Sequence, residues 1–189
     1  AQEEYHAANI RYSPASLRCD VTNTVRQVTE SFELDLNGFY QVKNLSTVLC
    51  AEGLLMQRGF SISNESEKQA LQNVKQLTGL HGRWEVIDTN PVTVLDVAHN
   101  EDGIRQVLKQ LSLIEQAPST VHFVLGMVKD KDVTKALSLL PASGHYYFSH
   151  AHIPRAMPAE ELKLKAAGFN IQGDSFDDVN AAIVSVQAS

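Results

Sequence analysis

Apolar and polar residues alternate along the first part of the chain, from about residue 8 to residue 37. β-branched and aromatic residues recur at every second position in "SLRCDVT" and "VRQVTESFELDL". Turn-forming residues interrupt the alternation at Ser13-Pro14, Asn23 and Asn37-Gly38. A period of two that is broken by such residues is typical of antiparallel hairpins.

The pattern then changes to helical spacing. Apolar residues at intervals of three and four predict a helix over about 40–58, which Gly59 ends. A second helix is predicted over 62–77, with Asn64 or Ser66 as its N-cap. The first part of the chain is therefore predicted to combine antiparallel hairpins with two helices.

Beyond "HGRWEV" the chain alternates between short apolar strands and amphipathic helices. Strands are predicted at 92–97, 120–127, 145–150 and 169–173, and helices at 102–114, 131–140, 158–168 and 176–187. Such alternation predicts an α/β fold, with a Rossmann-like, mainly parallel sheet that carries helices on both faces. The boundary between the two parts is predicted at 78–84, which gives segments 1–80 and 81–189.

A polar cluster follows the predicted strand 92–97, in the stretch "TVLDVAHNEDG". Ligands bind at the carboxyl ends of strands in parallel sheets, which makes Asp96 and His99 candidate binding residues. Asn100 is either part of the same site or the N-cap of the next helix. The acidic start of that helix would repel a phosphate. Asp96 therefore suits ribose hydroxyls, and Arg83 is the nearest candidate for a phosphate.

Composition narrows the class of protein. The 189-residue chain is 43% hydrophobic and 20% charged, as soluble globular proteins are. Its net charge of −6 argues against a general nucleic-acid or acidic-membrane surface. Two cysteines without CxxC spacing indicate reduced thiols in a cytoplasmic protein. No apolar stretch reaches the roughly 18 residues of a membrane span, and the acidic N-terminus is not a signal peptide.

Four motifs in order resemble the carboxyl-terminal half of a folylpolyglutamate synthase / dihydrofolate synthase, a branch of the Mur ligase superfamily. They are "GFYQVKNLSTVL", "LHGRWEVI", "VLDVAHNEDG" and "FVLGMVKDKDV", and the resemblance covers about residues 38–187. The first matches Gly-x-x-Gln-x-x-Asn, and its Gln41 favours the folate branch. In the second, His81 replaces the usual proline of Pro-Gly-Arg. The third matches Asp-x-Ala-His-Asn, and the fourth carries a glycine before Asp130-Lys131-Asp132.

The resemblance implies an ATP-dependent ligase. ATP phosphorylates a carboxylate of folate or dihydropteroate, and the amine of L-glutamate then attacks the acyl phosphate, with Mg²⁺ neutralising the phosphates. Three matched residues are implied to contact ATP: Asn44, Arg83 and Asp96. His99 and Asn100 would shape the same pocket. The whole enzyme is expected to be a monomer.

Arg155 lies in "IPRAM", which resembles a Pro-Arg-Ala-like loop of the family near the glutamate side of the cleft. It either meets a substrate carboxylate or faces solvent. Lys131 is either a phosphate contact or a solvated lysine paired with its flanking aspartates. His145, His150 and His152 are interpreted as residues at a sheet edge in preference to a metal site.

The family's Gly-Lys-Ser type phosphate loop has no counterpart here. We therefore expect the chain to be a fragment, with 1–80 as part of the central, ATP-binding domain and 81–189 as the carboxyl-terminal domain. It would hold no catalytic residue and would be inactive alone. The alternatives are a muramyl-peptide or cyanophycin-type ligase, or a non-catalytic nucleotide-binding module.

Overall fold

The computed structural model describes residues 3–114, 120–129 and 133–188. The chain divides into two compact units, Ala1–Val97 and Ala98–Ser189, and each is described by itself. The segment after residue 81 packs with the first unit up to Val97. The domain boundary at 80/81 therefore stays a prediction.

A three-stranded antiparallel sheet opens the first unit. Its strands are β1 (Tyr5–Tyr12), β2 (Leu17–Asn23) and β3 (Val28–Leu34), in the order β1-β2-β3. Leu17, Cys19 and Val21 alternate inward on β2, because successive side chains of a strand point to opposite faces. The predicted hairpins are confirmed.

Three helices follow, α1 (Gln41–Gln57), α2 (Asn64–Gln72) and α3 (Val74–Thr78). The first agrees with the predicted helix 40–58. The second predicted helix, 62–77, is divided at Asn73, and the Asp35 carboxylate accepts the Lys75 N–H at 2.8 Å near the start of α3. Free N–H groups at a helix start need such partners, so Asp35, the residue directly after β3, supplies the reason for the break.

The predicted cap of α2 was wrong. Ser63 is the N-cap, and its hydroxyl accepts a 3.1 Å hydrogen bond from the Ser66 N–H. Asn64 donates instead to the Glu30 carboxylate on β3. The Asn64 side chain, which the sequence predicted as a cap, is thus used in a tertiary contact with β3.

The core of the first unit lies between the sheet and the helices. Its buried members come from β2, β3, α1 and α2: Leu17, Cys19, Val21, Phe32, Leu34, Leu45, Leu49 and Leu71. Burial raises the pKa of the Cys19 thiol to about 11, so this cysteine is a packing residue.

The first unit ends in a hairpin of β4 (Glu85–Thr89) and β5 (Val92–Leu95). These strands pair antiparallel, with Glu85 opposite Leu95. The prediction that 92–97 begins the parallel sheet is wrong for the pairing seen here. A short connection joins neighbouring strands only as a hairpin, whereas a parallel pair needs a long crossover.

The second unit contains the parallel sheet, in the order β6-β7-β8. Its elements in chain order are α4 (Glu101–Ser112), β6 (His122–Leu125), α5 (Val133–Leu137), β7 (His145–Phe148), α6 (Ala159–Ala167), β8 (Gly173–Ser175) and α7 (Val179–Gln187). This α/β arrangement confirms the predicted fold class. Its last strand begins later than the predicted 169–173, because the Phe169 and Ile171 N–H groups both bond to the Ala166 carbonyl and close α6 first.

The core of the second unit is built around β7 and α6. Phe148, Leu162 and Ile171 are almost fully buried there, together with Ala136 and Leu137 of α5. Within the described part of the chain, no helix has both the length and the apolar character that a membrane crossing requires.

Candidate functional site

Asp96 joins three parts of the first unit. Its Oδ2 accepts a 2.8 Å hydrogen bond from the Trp84 N–H and a 2.9 Å hydrogen bond from the Tyr40 hydroxyl. The side chain is half-buried and follows directly after β5. It therefore connects the end of the hairpin to the linker before it and to the start of α1.

Tyr40 is the N-cap residue of α1, and its ring packs over Gly38. A Cβ built on Gly38 would lie 2.7 Å from a ring carbon of Tyr40, so this close approach favours glycine there. Burial, followed by the neighbouring Asp96 carboxylate, raises the pKa of the Tyr40 phenol far above its ordinary value. The Arg83 charge acts in the opposite direction on that pKa. Tyr40 is thus a protonated donor, and the charges of Asp96 and Arg83, two of the predicted ATP residues, both act on its pKa.

The linker around Arg83 is held by backbone contacts. The Gly82 N–H donates to Glu85 Oε2 at 2.9 Å, and the Gly82 carbonyl accepts the Val97 N–H at 3.0 Å. His81 Nδ1 lies 2.9 Å from Glu85 Oε1. The Gly82 N–H and then His81 lower the pKa of Glu85, so this carboxylate stays ionised and anchors the turn.

Trp84 completes the linker. Its side chain is only 7% exposed, and its φ of +51° lies in the left-handed region that L-residues rarely adopt. The Trp84 N–H bond to Asp96 stabilises this backbone. The half-buried Arg83 side chain is carried between Gly82 and Trp84, and its guanidinium donates to the Gly82 carbonyl at 3.2 Å. Trp84 anchors the turn that presents the arginine.

Asn44 lies on the first turn of α1. Its Nδ2 donates a 2.8 Å hydrogen bond to Gln41 Oε1, three residues earlier on the same face. Gln41 is 4% exposed, whereas Asn44 is exposed. The buried glutamine therefore orients the exposed amide, and Asn44 and Tyr40 share the start of one helix.

Asn100 and His99 belong to the second unit. Asn100 caps α4, since its Oδ1 accepts the Gly103 N–H at 2.8 Å. A Cβ on Gly103 would approach Ala98 Cβ to 3.1 Å, so the loop lies close over the first turn. Both polar side chains are exposed. The capping role predicted as an alternative for Asn100 is what the geometry shows, and its ligand role stays a prediction, as does that of His99.

Arg155 is exposed on a loop of the second unit that is itself well fixed. Its carbonyl accepts the Lys129 N–H at 2.9 Å, and the Met157 N–H donates to the Met127 carbonyl at 2.8 Å. The backbone is thus tied to the segment after β6, while the guanidinium faces outward. Lys131 and its flanking Asp130 and Asp132 lie outside the described residues.

The histidines of the second unit contact one another in two pairs. His145 stacks on His122 with ring centroids 5.0 Å apart, and His150 meets His152 edge to face at 5.8 Å. In residues 3–114, 120–129 and 133–188, no three side chains of His, Cys, Asp or Glu are arranged to hold a metal ion.

Sequence reasoning missed Tyr40. It lies inside the quoted "GFYQ" motif, but the motif gave no sign that its hydroxyl reaches a residue 56 positions later. The only available signal was its position between two motif residues, Gly38 and Gln41.

Comparison with known proteins shows the family of the chain. The family model described as "Mur ligase, glutamate ligase domain" matches residues 82–189, more than half of the chain. A dihydrofolate synthase/folylpolyglutamate synthase of Bacillus subtilis is 28% identical over 141 residues, which is 74% of this chain and 32% of that protein. A UDP-N-acetylmuramoyl-L-alanyl-D-glutamate--2,6-diaminopimelate ligase of Prochlorococcus marinus is 29% identical over 121 residues, 62% of this chain and 22% of that protein.

Among solved structures, the folylpolyglutamate synthase of Mycobacterium tuberculosis complexed with ADP and AMPPCP has a TM-score of 0.79 at 21% identity. The match covers 99% of this chain and 41% of that one, and it shows the fold. The chain spans about a third or less of the length of the curated relatives named above. Because the family model matches more than half of its length, the chain belongs to the Mur ligase family.

Proposed function

We propose that the chain supplies part of the nucleotide site of an ATP-dependent ligase that adds L-glutamate to dihydropteroate or folate through an acyl phosphate. The observation that carries this proposal is that Asp96 bonds both to the N–H of Trp84, the residue after Arg83, and to the Tyr40 hydroxyl at the start of α1. These two bonds connect Asp96 to the turn that carries Arg83. Asp96 and Arg83 are two of the three residues that the family resemblance assigns to direct contact with ATP.

The chemistry of each group suits its role. A carboxylate accepts hydrogen bonds on both oxygens, so Asp96 suits the hydroxyls of a ribose. The Arg83 guanidinium can bind phosphate oxygens with two parallel hydrogen bonds. Asn44, which Gln41 orients on the first turn of α1, offers an amide that both donates and accepts. His99 and Asn100 would contribute from the loop before α4.

The remaining parts of the reaction are proposed by the same resemblance. ATP transfers its terminal phosphoryl group to the acceptor carboxylate, and the glutamate amine displaces that phosphate to form an amide. Mg²⁺ enters with the ATP phosphates, because magnesium is held largely by phosphates and water with one or two carboxylates. The buried Cys19 and half-buried Cys50 are free thiols, which fits a cytoplasmic enzyme. We propose a monomer for the whole protein.

Arg155 is proposed as a contact for a substrate carboxylate. Its loop is fixed by the Lys129 and Met157 backbone bonds, while its side chain is exposed. Replacing Arg155 with glutamate should raise the Michaelis constant for L-glutamate in a ligase assay of the whole protein. An unchanged constant would assign Arg155 to the solvated surface.

A second candidate is a ligase that acts on muramyl peptides, which the 29% identical relative named for diaminopimelate ligation favours. The two candidates differ in the acceptor. The whole protein, supplied with ATP and labelled amino acids, should label dihydropteroate and leave a UDP-muramyl dipeptide unlabelled. The reverse result would replace the folate proposal.

Nucleotide binding by the chain itself tests the shared part of both candidates. We expect ADP to shift the backbone amide resonances of residues 82–84 and 96–100. Asp96→Ala should weaken ADP binding about tenfold or more, which is about 1.4 kcal/mol. The matched control is Asp174→Ala, whose carboxylate side chain is 86% exposed on β8. Equal weakening in both variants would contradict a site at Asp96.

A further inference from the structure

The start of α1 holds a hydroxyl that no motif explains. Tyr40 donates to Asp96 Oδ2, and Asp96 also accepts the N–H of the residue that follows Arg83. We propose that Tyr40 is a positioning residue of the nucleotide site, whose hydroxyl fixes the Asp96 carboxylate, and through it the Arg83 turn, at the first turn of α1. This inference rests on the proposed function.

The Tyr40 ring is held before any ligand arrives. It packs over Gly38, and its own backbone carbonyl accepts the Lys43 N–H at 3.2 Å. The neighbouring Gly38 carbonyl accepts the Gln41 N–H at 2.8 Å. The hydroxyl thus projects from a closed helical turn with a ring that has only two side-chain torsions to order. Such a donor adds little entropy cost when it binds a carboxylate.

Two donors from separate elements determine the direction of the carboxylate. Both bonds end on Oδ2, at 2.8 Å from the Trp84 nitrogen and 2.9 Å from the Tyr40 oxygen. Because a carboxylate is planar, fixing Oδ2 relative to the Asp96 backbone also fixes the second oxygen. Removal of the Tyr40 hydroxyl would take away one of these two donors and leave the Trp84 N–H on Oδ2.

The electrostatics keep the donor in place. Burial and the Asp96 carboxylate raise the pKa of Tyr40, so its hydroxyl keeps its proton across the neutral range. Trp84, whose N–H bonds to Asp96, follows Arg83 directly, so the carboxylate and the guanidinium belong to one connected turn. A ligand with hydroxyls at one end and phosphates at the other would therefore meet an acceptor and a cation whose relative positions Tyr40 maintains.

The experiment compares Tyr40→Phe with Tyr5→Phe. Each substitution removes one hydroxyl from the first unit; the Tyr5 hydroxyl donates to the Leu49 carbonyl at 3.3 Å, among the core contacts. ADP affinity is measured by fluorescence with a methylanthraniloyl-ADP probe, and thermal unfolding is measured alongside. We expect Tyr40→Phe to weaken the affinity about tenfold and Tyr5→Phe to leave it unchanged, even if both lower the unfolding midpoint.

A double-mutant cycle shows whether Tyr40 acts through Asp96. In an Asp96→Ala background, Tyr40→Phe should cause no further loss of ADP affinity, because the group that it positions is gone. Multiplied effects, or a wild-type affinity in Tyr40→Phe, would overturn the proposal.

Spectroscopic titration of the tyrosines separates this proposal from the function on which it rests. Tyr40→Phe should remove a phenol whose pKa is raised, and Asp96→Asn should lower the pKa of Tyr40. The wild-type chain could fail to bind ADP while this titration behaves as expected. That result would reject the proposed nucleotide site and leave the Tyr40–Asp96 hydrogen bond with a structural role only. If the titration also fails, the pair itself is absent.

Discussion

Gly82 and Val97 close the base of the β4–β5 hairpin in direct contact. The Gly82 carbonyl accepts the Val97 N–H at 3.0 Å, and a Cβ built on Gly82 would lie 2.6 Å from Val97 Cγ1. Gly82 also has a φ of +70°. The residue before Arg83 is therefore a glycine for two independent reasons, the left-handed backbone and the lack of space.

Replacing Gly82 with alanine separates these two reasons. Gly79 has a similar φ of +67°, but nothing lies within 4 Å of its missing Cβ. Gly79→Ala should lower the free energy of unfolding by about 1 kcal/mol through backbone strain alone. Gly82→Ala should cost about 1 kcal/mol more than Gly79→Ala, since the added Cβ forces the half-exposed Val97 side chain to move. Chemical denaturation measures both values, and Val97→Ala in the Gly82→Ala background should recover the difference. Equal costs at the two glycines would show that the contact is unimportant.

Two substitutions of Asn100 separate its capping role from its proposed role in ligand binding. Asn100→Ala removes the acceptor for the Gly103 N–H and should destabilise the chain by about 1 kcal/mol. Asn100→Ser keeps a capping oxygen and should retain most of that stability. The comparison is Asp178→Ala, which removes the equivalent cap of α7, an acceptor 2.9 Å from the Ala181 nitrogen. Loss of ADP binding in Asn100→Ser with normal stability would support the ligand role, whereas unchanged binding would leave Asn100 as a cap alone.

Glu67 makes stability depend on pH. Burial, followed by a hydrogen bond with Glu52, raises the pKa of Glu67 from 4.5 to about 8. The unfolded chain releases this proton near pH 4.5 while the folded chain keeps it to about pH 8. Its contribution to stability is therefore complete below pH 4.5 and declines as pH rises through about 8. Glu30 adds a further negative charge to this group and Lys68 a positive one.

Glu67→Gln should remove this pH dependence, because glutamine donates to Glu52 without carrying a proton that can be lost. At pH 8 we expect the variant to be more stable by about 1 kcal/mol, a value reduced for partial solvent exposure. Urea unfolding at several pH values measures the effect. Glu65→Gln, on the exposed side of the same helix, should leave the pH profile as it is in the wild type. An identical profile for Glu67→Gln would mean that the two carboxyls do not share a proton.

Helix α6 provides a direct test of the core of the second unit. Leu162 is 0% exposed and Leu164, two residues later, is 74% exposed. Leu162→Ala should lower the free energy of unfolding by about 2–5 kcal/mol, because it opens a cavity between α6 and β7. Leu164→Ala should change it by less than about 0.5 kcal/mol. Similar losses at both positions would place the buried face of α6 elsewhere.

Much of the fold followed from local pattern, because amphipathic helices and buried strands differ in period. The helices α1 and α4 and the strands β6 and β7 were predicted near their observed bounds, and the first unit was correctly predicted to contain antiparallel hairpins. The errors occurred where a distant side chain decided the local structure. The Asp35 carboxylate accepts the Lys75 N–H near the break between α2 and α3. The Asn64 side chain donates to Glu30 and therefore does not cap α2.

The sequence by itself determined which chemical groups are available for the candidate site. They are Arg83 after a linker glycine, Asp96 at a strand end and Asn44 on the first turn of a helix. Spacing along the chain is a local property, so these motifs and the helices and strands that carry them could be predicted from the sequence alone. Only the tertiary structure decided that Tyr40 reaches Asp96 and that β5 pairs with β4. The first contact joins segments that are distant in sequence, and the second joins strands that could each pair with another strand. Hydrophobic periodicity describes one segment at a time, so it does not predict which segments pack together.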